Sequence, residues 1–318
     1  MIKKLFSLCT CIIMSIALLT GCTSQDNKSN NESNKDETLK VTTSFYPVYL
    51  LTKEITKDIE GVEVTNLVSE TTGCLHNYSL TTEDLKQIEE SDVMIINGAG
   101  METFIEDVTK DNEKVQVIDS SMGIELIEQL NHEHEHENHK HDHEEETHHH
   151  EVNSHIWLSP NNAIKQIENI ANGLGKIDSK NEEKYKANCE EFKSELEKLN
   201  EDYKIGIGDV KNKNIVTFHE AFPYLAKEYN LNIASTVQRE EGSEPSAKEL
   251  QETIEIIKEK EIKTIFIEPQ YPAKVAETIS KETGATICIL DPAVTNENNK
   301  TYIEIMYENL EALKEALK

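Results

Sequence analysis

Between Lys180 and Tyr203 the chain offers a helical run with few breakers and an apolar period close to 3.6. At 1.5 Å per residue it would reach roughly 35 Å, the breadth of a small domain. A rod of that length divides the chain, and the pattern on either side is the same. Short β-branched strands alternate with helices, the signature of βαβ units and parallel sheets. Before the rod, LKVTTSF (39–45), VEVTNLV (62–68), DVMIING (92–98) and KVQVID (114–119) read as strands. Helices are expected over 46–58, from Thr81 or Thr82 to Glu90, over 101–108, and from Pro160 to about Leu174 with Ser159 as N-cap. After the rod, NIVTF (214–218), LNIAST (231–236), KTIFIEP (263–269) and ATICIL (285–290) read as strands. Their helices cover 220–229, 272–281 and 301–318, and Ser246 with Glu249 makes a capping box for one ending near Lys260. The expected fold class is α/β, two βα lobes with parallel sheets joined by one long rigid helix. The expected boundaries are an N-terminal lobe at 39–178, a connecting helix at 179–205 and a C-terminal lobe at 206–318. An ordinary amphipathic surface helix would show the same pattern over 180–203.

The start, MIKKLFSLCTCIIMSIALLTGC, pairs Lys3 and Lys4 with an apolar stretch too short for a typical membrane span. Leu19-Thr20-Gly21-Cys22 is similar to a bacterial lipoprotein signal box, which makes 1–21 a signal peptide and Cys22 a lipidated first residue. Residues 22–38 are polar and without period, a flexible tether between lipid and domain. Such a chain belongs at the cell membrane, lipid-anchored on the extracytoplasmic face of a bacterium, as in Gram-positive organisms. Cys9 and Cys11 leave with the signal. Cys74, Cys189 and Cys288 remain, too few and too far apart for a disulfide framework.

The net charge of −28 argues against nucleic acid and suits a cation. Nine of twelve histidines crowd into the 131–151 loop: His132, His134, His136, His139, His141, His143, His148, His149 and His150. Glu and Asp interleave them, and almost nothing there is apolar. Neutral imidazole offers a lone pair to a borderline metal, so the tract reads as a low-affinity metal collector. A solvated acidic loop that happens to be rich in histidine is the duller alternative.

Ligands of open parallel sheets bind beyond the carboxyl ends of the strands. His219 follows NIVTF, Asp291 follows ATICIL, His76 lies in the loop after VEVTNLV, and His155 lies in the return from the His-rich loop. Three imidazoles plus water or one carboxylate make a tetrahedral site suited to Zn²⁺, whereas manganese favours more oxygen ligands. Each histidine could instead be a hydrogen-bonded structural residue, and Asp291 could cap a turn before Pro292. Cys74, two residues from His76, is either a thiolate ligand or an inert thiol. Trp157, Tyr78 and Tyr224 read as packing. HEAFP lacks the second histidine of a metalloprotease helix, and no Walker A, Rossmann or nucleophile motif appears. No catalysis is expected.

Several segments together carry a family resemblance: CLHNYSLTTEDLKQIEESDVMIINGAGME, the acidic His-rich insertion, SHIWLSP, VTFHEAFPYLAKEY, EGSEPSAKEL, IFIEPQY and LDPAVT. Over about 39–318 the chain resembles the zinc-binding solute-binding lipoproteins of metal ABC transporters, the cluster A-I family that also holds manganese binders and adhesin-type lipoproteins. The resemblance implies two α/β lobes with the metal site in the cleft between them, and His76, His155 and His219 as ligands. Manganese members are similar but place a carboxylate where this chain has His219. Some zinc relatives carry a Glu in a segment like LNPxE; here Val294 stands at that point, which leaves Asp291 or a water as fourth ligand. The implied function is extracytoplasmic capture of Zn²⁺ and delivery to a permease driven by an ATPase, by a monomer. Manganese or another transition metal as cargo, or a surface adhesin with a structural zinc site, are the alternatives.

Overall fold

A computed structural model describes residues 38–68, 75, 78–110, 114–128, 152–237, 245–296 and 299–318. Cys22, Cys74, His76 and the nine histidines from His132 to His150 lie outside the described residues.

Strands β1 (Leu39–Thr43), β2 (Val62–Asn66), β3 (Val93–Ile96) and β4 (Gln116–Asp119) form one parallel sheet in the order β2-β1-β3-β4. Strands β5 (Asn214–Thr217), β6 (Asn232–Thr236), β7 (Thr264–Ile267) and β8 (Thr286–Ile289) form a second parallel sheet in the order β6-β5-β7-β8. The central β3 and β7 are apolar nearly throughout and buried, as a strand covered on both faces requires. Helices α1 (Tyr46–Ile55), α2 (Thr82–Glu89) and α3 (Thr103–Lys110) belong to the first half. Helices α6 (Pro223–Tyr229), α7 (Ala247–Glu259), α8 (Lys274–Thr283) and α9 (Tyr302–Ala316) belong to the second.

Between the sheets, α4 (Pro160–Ile177) turns through a 3-10 helix at Ser179–Asn181 into α5 (Glu182–Ile207), the long helix, at 26 residues. It begins two residues later than Lys180 because Asp178 takes the Asn181 side-chain amide at 2.8 Å and Tyr185 Oη at 2.9 Å, which pins the corner. Its buried stripe runs Tyr185, Cys189, Phe192, Leu196, Leu199 and Tyr203, alternating steps of four and three. That stripe packs α5 along α4, and α5 also touches α1 and α9. Helix α6 starts at Pro223 rather than Glu220, since Pro at the first helical position fixes φ and needs no N–H partner.

A single hydrophobic core joins Val41, Ile95 and Ile167 on one side to Leu196, Phe222, Phe266, Leu290 and Met306 on the other. A second core, with Val216, Ile257, Ile265, Ile267 and Ile279, lies beneath α7 and α8. Trp157, the sole tryptophan, is fully buried where the halves meet. It packs edge-on to Phe45 with ring centroids 5.1 Å apart, donates from Nε1 to the Pro292 carbonyl at 2.7 Å, and its own carbonyl accepts from Tyr302 Oη. Cys189 and Cys288 are free, and burial pushes the Cys189 thiol up to about 11, which keeps it protonated and inert. No helix among the described residues is long and apolar enough to cross a membrane.

Candidate metal centre

His219 sits two residues beyond β5, at the carboxyl end of the second sheet. His155 precedes the 3-10 turn Ile156–Leu158, whose end is set by Ser159 capping α4 through the Asn162 N–H at 3.1 Å. Both imidazoles are about 98 % shielded from solvent, at 1 % and 2 % exposure. Their Nε2 atoms stand 3.1 Å apart, with ring planes 76° to one another. Two nitrogens on a tetrahedral zinc, each about 2.0–2.1 Å from the ion, would be roughly 3.3 Å apart. The pair is therefore already at ligand spacing, held by residues 64 apart in sequence. Trp157 and Tyr271 flank it, with ring centroids 5.1 Å from His155 and 6.4 Å from His219.

The loop carrying His155 is fixed from both halves. Tyr224 Oη donates to the Asn153 carbonyl at 2.7 Å and accepts from the Ile127 N–H at 3.0 Å. Glu128 and Val152, on either side of the His-rich insertion, form an antiparallel bridge, so the described ends of that insertion are held together beside the site. On the next helix, Glu228 of α6 accepts from Ser159 and Asn161 at the start of α4. Burial raises the Glu228 carboxyl above its ordinary value, against the lowering effect of those two donors.

Asp291 has the turn-capping role. Its Oδ1 accepts from the Ala293 N–H at 2.7 Å, and Asn309 brackets its main chain with two bonds of 2.7 Å. Ala293 has φ +61, a left-handed conformation that this capped turn sustains. Val294, two residues on from Pro292, is buried in the core. Among the described residues no three His, Cys, Asp or Glu are grouped to hold a metal, so Asp291 does not join His155 and His219 in such a group.

Two buried carboxylates escape a reading of the sequence. Glu268, 1 % exposed, follows β7 directly, and continuing the β5–β7 register from Thr217↔Phe266 sets it level with His219. Gln270 donates to its Oε2 at 3.0 Å. Glu102 lies at the carboxyl end of the first sheet, where its Oε1 accepts from Ser44 Oγ at 2.6 Å and the Asn97 N–H at 2.7 Å, and its Oε2 from the Gly98 N–H at 3.0 Å. Gly98 is required there: its φ is +77, and a Cβ would meet Asp119 Oδ1 at 2.0 Å. The only sequence signal for Glu268 is its place just after a strand, and Glu102, six residues beyond β3, has none.

A family model described as zinc-uptake complex component A, periplasmic, matches residues 41–316. The chain is 35 % identical over 290 residues to the zinc-binding protein AdcA of Streptococcus pyogenes, covering 87 % of itself and 55 % of AdcA, about half the length of that relative. It is also 35 % identical over 327 residues to the high-affinity zinc uptake system protein ZnuA of Bacillus subtilis, covering 99 % of that protein. Among solved structures, a zinc-bound variant of AdcAII from Streptococcus pneumoniae aligns with TM-score 0.76 and 31 % identity, over 89 % of this chain and 99 % of that one. The laminin-binding protein of Streptococcus agalactiae, described as a bifunctional protein with adhesin and metal transporting activity, aligns with TM-score 0.75 and 31 % identity, over 88 % and 100 %.

Proposed function

This chain belongs to the zinc-uptake complex component A family, and from that premise we propose that it is the zinc-binding component of an ABC importer, capturing Zn²⁺ outside the cytoplasmic membrane. The observation that carries the reading is the buried Nε2 pair of His155 and His219 at 3.1 Å. Imidazole nitrogens select zinc over calcium, magnesium or manganese, which prefer oxygen. His76 supplies the third nitrogen, and a water completes the tetrahedron. The histidines from His132 to His150 raise local zinc beside the site. Nothing in the sequence organises a general base or a nucleophile, and the protein acts by binding and handing over rather than by catalysis. The loaded protein, a monomer tethered through lipid on Cys22, docks on a permease whose partner ATPase drives import.

Zinc titration of the full chain tests this. About 10–16 kcal/mol of zinc binding shared among four ligands gives roughly 3 kcal/mol each, so His155→Ala or His219→Ala should weaken the tight site about 100-fold. Removal of residues 132–150 should leave that site intact. Loss of all tight binding on removing the tract, with His155→Ala silent, would sink the reading.

A second reading, attachment to laminin, is supported by the Streptococcus agalactiae relative. It predicts saturable binding of laminin by the full chain, and an empty binding curve would dismiss it.

A further inference from the structure

Asn153 is 4 % exposed and stands between the two histidine loops. Its Oδ1 accepts from the His155 main-chain N–H at 3.1 Å and lies 3.3 Å from His155 Nδ1. Its Nδ2 donates to the carbonyl of Glu220, the residue after His219, at 2.7 Å. Its backbone is held as well, with the N–H on the Ile127 carbonyl at 2.8 Å and the carbonyl on Tyr224 Oη at 2.7 Å. The orientation of the side-chain amide follows from its neighbours, because a main-chain N–H can only face the oxygen and a main-chain carbonyl can only face the nitrogen.

An amide oxygen accepts and never donates, so the ring nitrogen turned toward it is the one that bears the proton. A neutral imidazole has one N–H. With the proton on Nδ1, the lone pair of His155 sits on Nε2, the atom facing His219. Resting on the zinc-capture reading above, we propose that Asn153 is a positioning residue for the metal centre. Its oxygen locks His155 in the Nδ1–H tautomer with Nε2 presented as a ligand, and its nitrogen ties that loop to the strand end bearing His219. In the metal-free protein His219 then donates from its own Nε2 to His155. Zinc displaces that bond, and His219 ligates through Nε2 in its other neutral tautomer, with its ring proton on Nδ1 instead. No other side chain does both jobs at this size. Leucine has the shape and neither polar atom, while aspartate keeps the acceptor and loses the donor.

Three measurements on the full chain test this. Nitrogen-15 histidine NMR of the metal-free wild type, with His155 assigned by its loss in His155→Ala, should show His155 protonated at Nδ1; it needs no Asn153 variant to fold. Zinc affinity by chelator competition should fall about 10–100-fold in Asn153→Ala, the range for groups that orient a metal-binding histidine. Asn153→Asp, which keeps the acceptor, should stay within about fivefold of wild type. The Co²⁺ ligand-field spectrum should shift in Asn153→Ala and be restored in Asn153→Asp, a signature that mere loss of stability would not produce. An Nε2–H tautomer in the wild type would overturn the proposal. So would wild-type zinc affinity in Asn153→Ala while His155→Ala abolishes the tight site. Should His155→Ala itself bind as wild type, the zinc-site reading fails first and this inference with it.

Discussion

The first sheet runs β2-β1-β3-β4 and the second β6-β5-β7-β8, the same topology, yet the apolar side chains around them are divided differently. Val41, Ile95 and Ile118 of the first sheet share one core with α4, α5 and α9. The second sheet splits: Ile215, Phe266 and Leu290 point into that shared core, while Val216, Ile265 and Ile267 point into a separate one under α7 and α8. One face of the second half is thus fused to the first half, and only its outer layer has a core of its own. Sliding the halves past one another would have to break close packing along α5, which is costly. Opening the α7–α8 layer would not. The Nε2 pair lies on the fused side, near Trp157.

The largest effect should come from breaking the fusion itself. Trp157→Ala removes the edge contact to Phe45 and the bond to Pro292, and should cost about 3–5 kcal/mol. Calorimetry of the variant should still show one main transition, displaced downward. If stability changes by less than 1 kcal/mol (about one ordinary surface substitution), the halves are not joined through this residue.

Next comes the separate layer. Ile279→Ala empties a fully buried position under α8 and should cost about 2–5 kcal/mol. Hydrogen exchange should accelerate in α7 and α8 while α4 and α5 keep their protection. Leu196→Ala in α5 should instead speed exchange on both sides. Equal acceleration everywhere in both variants would mean that the two cores behave as one.

The sheet ends differ in the same sense, and here pH is the probe. Burial, opposed by the Ser44, Asn97 and Gly98 donors and reinforced by the charge of Asp119, raises the Glu102 carboxyl from 4.5 to about 7. A carboxyl raised on folding binds its proton more tightly in the folded state. Its contribution to stability is full below the ordinary value and is lost as pH rises through about 7. The shift from 4.5 to about 7 corresponds to about 3 kcal/mol at most. Glu102→Gln should flatten the fall of stability between pH 4.5 and 7, whatever its effect at a single pH. An unchanged slope in urea titrations across that window would remove Glu102 from the account.

Much of this architecture is legible in the residues, and the parts that are not share a cause. The βα alternation, the Ser159-Pro160 start of α4 and the capping box of α7 depend on neighbours within four residues, and all are present. His219 announces itself by following a strand, and His155 by its place in the return from the His-rich loop. Their separation does not, because it is set by how Tyr224 and Asn153 bind residues 71 and 67 positions away. Glu102 is invisible for the same reason, since its Ser44 partner is 58 residues off. Asp291 reads two ways in sequence, and the Ala293 N–H and Asn309 give it the turn. The α5 run could have been a bare rod; its apolar stripe is satisfied by α4, a contact no period can specify.

The smallest effect compares two helix caps at matching places. Thr81 and Asp84 box the start of α2 in the first half, as Ser246 and Glu249 box α7 in the second. Asp84 is 7 % exposed and also accepts from Tyr78 Oη at 2.8 Å, which helps burial to push the Tyr78 hydroxyl up to about 12. Glu249 stands in an exposed box. A cap is worth about 0.5–2 kcal/mol, and more of it is realised where water cannot substitute for the lost acceptor. Thr81→Ala should therefore fall near the top of that range and Ser246→Ala near the bottom, measured by urea unfolding of each. If the two caps cost the same, the burial of Asp84 adds nothing that water does not already supply to Glu249.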